Sequence, residues 1–293
     1  MTEKRKCIIS GTSGFVGSQI KSYFMKNDWE VYELKHSIKN GNASDKHLIP
    51  YSLGNKIDSK IFNGIEVLIH CAYDFKQSKW KDIFNINVTG STNLLRAAKF
   101  AGVQKIIFIS SIAAFDNCKS MYGRAKLEIE KEALKLGAIV IRPGLIYSEN
   151  PGGMFGALDK ATSLLPVIPT IGSGNNIMFL IHIEDLCKLV YKFSTSEIKS
   201  PSNPIIAAHG QGKTFRNILD TLLSSKNKKA LYIPIPYSLI FAMLKTAELL
   251  GLKIRFRSDS LISMMNYDPN PHFDLEVLKN IQLREFSVKS LLK

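Results

Sequence analysis

Short, wholly apolar runs alternate with longer stretches of helical spacing through the first half of the chain. Residues 7–10 read as a buried strand, followed by a glycine-rich turn and a helix that reaches about Met25. Residues 30–34 form a second strand by the same pattern, and 67–70, 105–110 and 138–141 add three more, each short and rich in β-branched side chains. Between them, 88–101 and 122–136 carry helical spacing. Strands of this kind, separated by helices, form βαβ units and a parallel sheet covered on both faces. After Arg142-Pro143 the texture changes. Residues 149–176 are rich in Gly, Pro and Asn and read as an excursion from the repeat; a strand and helix return over 178–193. From about Ser200, Pro-punctuated segments with two or three helices mark a smaller, mainly helical lobe. The expected fold is α/β: a doubly wound parallel sheet over 1–148, returning at about 177–198, with a second lobe from 149–176 and 199–293.

One stretch of that lobe stands apart. Residues 237–252 are strongly apolar, with Lys245 and Glu248 as their only charges. Lys226, Lys228 and Lys229 precede them, and Lys253, Arg255 and Arg257 follow. The run is shorter than the roughly 20 residues needed to span a bilayer. Two readings remain: a helix buried in the lobe, which is the expectation, or an interfacial helix making peripheral contact with anionic lipid.

Composition narrows the class. With 293 residues, 45% hydrophobic and 22% charged, the chain can bury a core without staples and is neither collagenous nor disordered. Cys7, Cys71, Cys118 and Cys187 lie far apart with no CxxC pair, so no metal site is expected and a reducing, cytoplasmic setting is. The N-terminal MTEKRKCIIS lacks the apolar stretch of a signal peptide. Lys and Arg number 39 against 25 Asp and Glu, a formal charge of +14. A field of that sign suits anionic partners. The basic residues are dispersed, without a nucleic-acid motif, which leaves an anionic membrane surface or a phosphate-bearing small molecule.

The turn after the first strand is Gly11-Thr12-Ser13-Gly14-Phe15-Val16-Gly17. The first glycine permits the tight turn, the second lets backbone approach a pyrophosphate, and the third lets the helix pack near the strand. The free N–H groups at the helix start then face the phosphates. An acid at the end of the second strand would bind the adenosine ribose; Lys35 and His36 stand there instead. A cation suits a 2′-phosphate, so NADP is favoured over NAD, although Glu33 lies one register step from reversing that reading. Further on, Tyr122 and Lys126 fall at i and i+4, on one helix face. An ammonium beside a phenol lowers its pKa, which makes Tyr122 a general acid/base for a carbonyl/alcohol pair. Ser110 and Ser111 end a strand at the edge where such sheets bind ligands, and Asn87 opens a helix.

Together these residues resemble the extended short-chain dehydrogenase/reductase family, the NAD(P)-dependent epimerase/dehydratase group. The matching pieces are GTSGFVG at 11–17, HCAY at 70–73, NVTGSTNLLRAA at 87–98, FISS at 108–111, YGRAK at 122–126, RPGLIY at 142–147 and FLIHIEDL at 179–186. The resemblance implies a Rossmann-type fold with Tyr122 as proton donor and acceptor. Lys126 would tune it and bind the nicotinamide ribose, Ser111 would orient the substrate oxygen, and Asn87 would support the site through backbone or water. It also implies that residues 11–17 hold the pyrophosphate and that Ser52, Leu53, Cys71, Ala72 and Tyr73 lie along the adenosine and ribose path. Ser110 joins the cofactor contacts, and Pro143 sits against the nicotinamide. In this family the second lobe selects the substrate, most often a nucleotide-diphosphate sugar, and Arg257 in Arg257-Ser258-Asp259 would grip its pyrophosphate. A homodimer built from the helices near Val88 and Tyr122 is the family's habit.

Ser52, Phe115-Asp116 and Ser148 depart from the family pattern. Ile112-Ala113 replaces the Asp-Glu pair expected of a 4,6-dehydratase, which leaves 4-keto reduction or 4-epimerisation. Two other readings stay open: a reductase of an apolar ketone, or a non-catalytic NADP(H)-binding structural or assembly subunit.

Overall fold

The computed structural model describes residues 4–36, 45–197, 200–252, 256–268, 271–274, 278 and 281–291. In chain order the sheet domain runs β1 (Lys6–Ser10), α1 (Phe15–Lys26), β2 (Glu30–Lys35), β3 (Leu48–Pro50), β4 (Val67–His70), α2 (Trp80–Ile83), α3 (Gly90–Phe100), β5 (Lys105–Ile109), α4 (Met121–Lys135) and β6 (Ile139–Pro143). There follow β7 (Leu145–Tyr147), α5 (Gly153–Leu164), β8 (Val167–Ile171), β9 (Ile177–Met178), β10 (Leu180–His182), α6 (Ile183–Thr195) and β11 (Ile205–Ala207). The chain then runs through β12 (Lys213–Thr214), α7 (Phe215–Ser224), β13 (Leu231–Ile235), α8 (Tyr237–Leu249) and α9 (Ser258–Met265).

Seven strands form one parallel sheet in the order β11-β6-β5-β4-β1-β2-β3. The strands alternate inward on both sides. Cys7, Ile9, Val67, Ile69, Ile107 and Ile109 pack under α1 and α6, while Ile8, Leu68, Ile106 and Phe108 pack under α3 and α4. Burial on both faces is why these runs are apolar throughout. The chain reverses direction across the sheet between β1 and β4, which opens the crevice where doubly wound folds bind ligands.

Three details differ from the sequence reading. The sheet domain extends past residue 198, because β11 pairs with β6 as its edge strand (Ile205 opposite Ile141). The 149–176 excursion contains a helix and a strand of its own, α5 and β8. Residues 80–100 form one continuous helical run, interrupted by a π-helical turn over Phe84–Thr89. Asn87 therefore sits inside a widened turn and does not open a helix.

The second lobe has two small cores. One joins Tyr147, Phe155, Leu180, Ile218, Leu222 and Phe286. The other joins Ile168 and Ile171 of β8, Leu219 of α7 and Leu261 and Met264 of α9, with Tyr232, Phe241 and Leu244 against it. α8 overturns the expectation of a buried helix: none of its residues is buried. Among the described residues no helix is long and apolar enough to cross a membrane.

Candidate active site

The C-terminal tips of β1 and β4 are locked together. Ser10 and His70 are register partners, and Ser10 Oγ lies 2.6 Å from His70 Nδ1. The same oxygen accepts from the N–H groups of Cys71 and Ala72, at 3.2 and 3.3 Å. Burial pushes His70 down to about 3, so the ring stays neutral beside Lys126. Sequence reasoning missed this pair, which the register of two adjacent parallel strands could have supplied.

The latch brings Cys71 and Ala72 onto the glycine turn. Gly11 has φ +78°, and a Cβ there would lie 2.7 Å from the Ala72 nitrogen. A Cβ on Gly17 would lie 2.3 Å from the Gly11 carbonyl oxygen. Only glycine lets the turn, the helix start and the β4 loop approach this closely. A cradle of bare backbone at the N-terminus of α1 fits the pyrophosphate of a dinucleotide. Thr12, Ser13, Phe15 and Val16 complete it, and Phe15 also meets Gly152 of the excursion, where a Cβ would fall 2.6 Å from the ring.

Glu33 does not reach the strand tip. It is 4% exposed and pairs with Lys21 of α1 at 2.5 Å and with Lys35 at 3.1 Å. Burial works to raise its carboxyl, but the Lys21 and Lys35 ammonium groups prevail and hold it below the usual range. At the tip itself the Lys35 carbonyl accepts from the Tyr51 N–H at 2.8 Å, and His36 is hydrogen-bonded to Ser52, with Leu53 beside it in the chain. Lys35, His36, Ser52 and Leu53 are thus gathered beyond β2 and β3.

The Ser111, Tyr122 and Lys126 side chains converge beyond β5. Ser120 caps α4 through Gly123 N–H at 3.0 Å, fixing the helix that carries Tyr122 and Lys126. Ser111 Oγ accepts from Ala113 N–H at 3.2 Å, and its hydroxyl stands close enough to the Tyr122 phenol to work against the rise of that phenol's pKa. Lys126, 2% exposed, donates to the Ile109 carbonyl at 2.8 Å. Desolvation drives its ammonium down to about 8. The sequence-based expectation that Lys126 lowers the phenol is reversed here. Burial pushes Tyr122 up to about 12, and the nearby Ser111 hydroxyl works against that rise. The cause is geometric: the Lys126 ammonium turns toward a carbonyl, 5.9 Å from the Tyr122 ring centre.

Tyr73 and Phe75 wall Tyr122, with ring centres at 4.9 and 5.6 Å. Asn87 holds that wall. Its fully buried side chain accepts from Asp74 N–H at 2.7 Å and donates to the Asp74 carbonyl at 3.1 Å. It acts on the wall's backbone. Ser110 is hydrogen-bonded to Glu130, one helical turn beyond Lys126, and Arg142 grips the same carboxylate at 2.6 to 3.2 Å. Pro143 ends β6 and its carbonyl accepts from Ile112 N–H at 2.9 Å. Arg257 donates to the carbonyls of Phe75 and Gln77, both at 2.9 Å, so its guanidinium braces the wall. Its neighbour Asp259 accepts from the Met121 and Tyr122 N–H groups at 2.7 and 3.0 Å. In the sequence Asp259 stands out only as part of the Arg257-Ser258-Asp259 element, without this role, and Glu130 does not stand out; both act across distances that no local spacing encodes.

Residues 7–206 match the model of the NAD dependent epimerase/dehydratase family. The chain belongs to that family. It is 24% identical over 264 residues to UDP-glucose 4-epimerase of Vibrio cholerae, covering 79% of each chain. It is also 24% identical to ceramide reductase of Caulobacter vibrioides, over 65% of this chain and 61% of that one. Among solved structures, UDP-glucose 4-epimerase of Thermotoga maritima with UDP-glucose superposes with a TM-score of 0.64 at 18% identity, over 89% of this chain and 97% of that one. ADP-L-glycero-D-manno-heptose-6-epimerase of Helicobacter pylori gives 0.66 at 19% identity, over 90% and 95%. These superpositions show the shared fold.

Proposed function

We propose that the protein reduces or epimerises a nucleotide-diphosphate sugar at one carbon, using the Ser111, Tyr122 and Lys126 side chains and a nicotinamide cofactor held by residues 11–17. The observation that carries the reading is the meeting of a Ser–Tyr–Lys set with a glycine cradle at one sheet edge, beside the reversal between β1 and β4. A bound nicotinamide would exchange hydride with the substrate carbon. Ser111 hydrogen-bonds the reacting oxygen, and Tyr122 exchanges the proton at that oxygen. Lys126 orients the nicotinamide ribose. Asn87 and Arg257 keep the aromatic wall closed on the phenol, which excludes water.

The strand tip supports NADP: Glu33 is held back by Lys21 and Lys35, and the basic side chain of His36 stands at the tip where a 2′-phosphate would lie. The similar epimerase of Vibrio cholerae supports the sugar-nucleotide class.

The test is calorimetric titration with NADPH and NADH, each with and without UDP, followed by turnover of 4-keto sugar nucleotides. Tighter NADPH binding together with UDP binding is expected. Tyr122→Phe should cut turnover by about 10² to 10⁴ while leaving cofactor affinity unchanged; surviving turnover would overturn the mechanism. A second reading, reduction of an apolar carbonyl compound, has one observation behind it. A cavity of about 350 Å³ is lined by Lys119, Tyr237, Phe241, Ile262, Met265 and Asn266. Cofactor binding with no binding of UDP or dTDP would put that reading first.

A further inference from the structure

We infer that the second lobe docks on an anionic lipid bilayer, with α8 lying in the plane of the interface and the outer face of the β8–β13 ribbon beside it. The inference stands apart from the choice of substrate, since none of the residues it uses belongs to the catalytic set.

The ribbon is a two-stranded parallel sheet with Leu231 opposite Val167 and Ile233 opposite Pro169. All four of these side chains are exposed, while the alternate positions Ile168 and Tyr232 turn into the lobe core. The outward face of a solvated ribbon is ordinarily polar; this one is apolar. The strand leads through Pro236 into α8, which repeats the arrangement with helical spacing. Ile240, Phe241 and Leu244 pack on the same core, and Leu239 and Met243, at i and i+4, point outward at 52% and 62% exposure. Leu249 and Leu250 extend the outward apolar surface to 85% and 71%. Ribbon and helix thus share one core and both present apolar side chains away from it. Exposed apolar surface on that scale marks an interaction site.

Charge selects the occupant. Residues 226–255 contain six Lys and Arg against a single acid, Glu248. That acid is turned inward, accepting from Ser258 N–H at 2.7 Å and Ser258 Oγ–H at 3.0 Å. Lys228 and Lys229, just before the ribbon, are exposed, as is Lys160 on α5; Lys228 hydrogen-bonds the Ser163 carbonyl next to exposed Leu164. An apolar face rimmed by cations matches the acyl boundary and headgroups of an anionic leaflet, where each nearby cation adds attraction. A second copy related by a two-fold axis would bring the same cations against one another. α8 has 13 residues, too few to cross a bilayer, and so lies along it.

The test is sedimentation of the full chain with vesicles of phosphatidylcholine and phosphatidylglycerol in equal parts, against vesicles of phosphatidylcholine alone. Binding is expected to the mixed vesicles, weak binding to the neutral ones, and a fall in binding as salt rises. The variant Leu239→Glu with Met243→Glu should lose about tenfold or more in vesicle affinity, with NADPH binding retained as the sign of an intact sheet domain. Met243→Trp in the otherwise native chain gives an independent readout, its emission shifting to the blue on the mixed vesicles. No binding to mixed vesicles overturns the proposal. So does undiminished binding by the double glutamate variant, which would reduce the effect to diffuse charge. A dimer in sedimentation equilibrium that the double variant splits, with vesicles left unbound, assigns the face to a second copy and overturns it as well.

Discussion

Under the seven-stranded sheet, the side chains of Val67–His70 are buried on both faces, and the helices that cover them bury residues such as Ile20, Leu94 and Ile129 completely. In the second lobe α8 buries none of its residues, and the outer face of β13 carries Leu231 and Ile233 into solvent. Among the described residues, twelve of the seventeen exposed large apolar side chains lie in that lobe. The two regions differ little in the kind of residue they use and strongly in what covers it. Stability of the sheet domain comes from contacts within the chain. The second lobe presents apolar surface that none of the described residues covers.

The sharpest way to break that contrast is a matched pair of leucine truncations. Leu94→Ala, in a fully buried site on α3, should cost about 2–5 kcal/mol for lost transfer energy and the cavity left behind. Leu239→Ala on α8 should stay within about 0.5 kcal/mol in the absence of vesicles. Urea unfolding of both variants checks this. A comparable loss at Leu239 would mean that α8 is covered in solution.

Next in size is a test inside the sheet domain, where function works against stability. Lys126 ionises at about 8 in the fold against an ordinary 10.5, so the unfolded chain holds this proton more tightly than the folded one. Charged Lys126 therefore costs the fold about 3 kcal/mol below pH 8, and the cost fades as pH rises from about 8 to 10.5. Lys126→Met should abolish turnover and raise stability at pH 7 by about 2 kcal/mol, allowing about 1 kcal/mol for the Ile109 carbonyl left unpaired. The gain over the native chain should shrink on the alkaline side. Thermal melts at pH 7 and pH 10 read both statements.

The sheet domain was the legible part of the molecule. Strands buried on both faces leave unbroken apolar runs such as VLIH at 67–70, and the glycine turn sits directly on the first of them. β3 and β11, at three residues each, leave too little pattern to read. The nearness of Tyr122 and Lys126 was legible because they share one helix face, whereas the ionisation of Tyr122 was not. That depends on where the Lys126 ammonium turns and how deeply the phenol lies, and spacing encodes neither. α8 was misread for a plain reason: an apolar run with few charges has the same composition whether protein or an interface covers it.

The smallest expected effect lies where the two regions touch. Asp259 begins the first turn of α9 in the second lobe, and its carboxylate accepts from the Met121 and Tyr122 N–H groups that open α4 in the sheet domain. An anion at a helix N-terminus satisfies otherwise unpaired donors and interacts favourably with the helix dipole. One of those donors belongs to Tyr122 itself, so the lobe fixes the backbone of the residue proposed to move the proton. Arg257, two residues earlier, holds the wall whose Phe75 stacks on the same phenol. Asp259→Ala should cost about 1–2 kcal/mol of stability and lower kcat with NADPH affinity unchanged, since the glycine cradle is untouched. Asp259→Asn keeps an acceptor oxygen without the charge and should recover part of both losses. If Asp259→Ala instead lowered NADPH affinity and kcat together, the contact would be holding the whole crevice open and not the Tyr122 helix alone. The division between a self-sufficient sheet domain and a dependent lobe would then fail at the one place where the lobe reaches the chemistry.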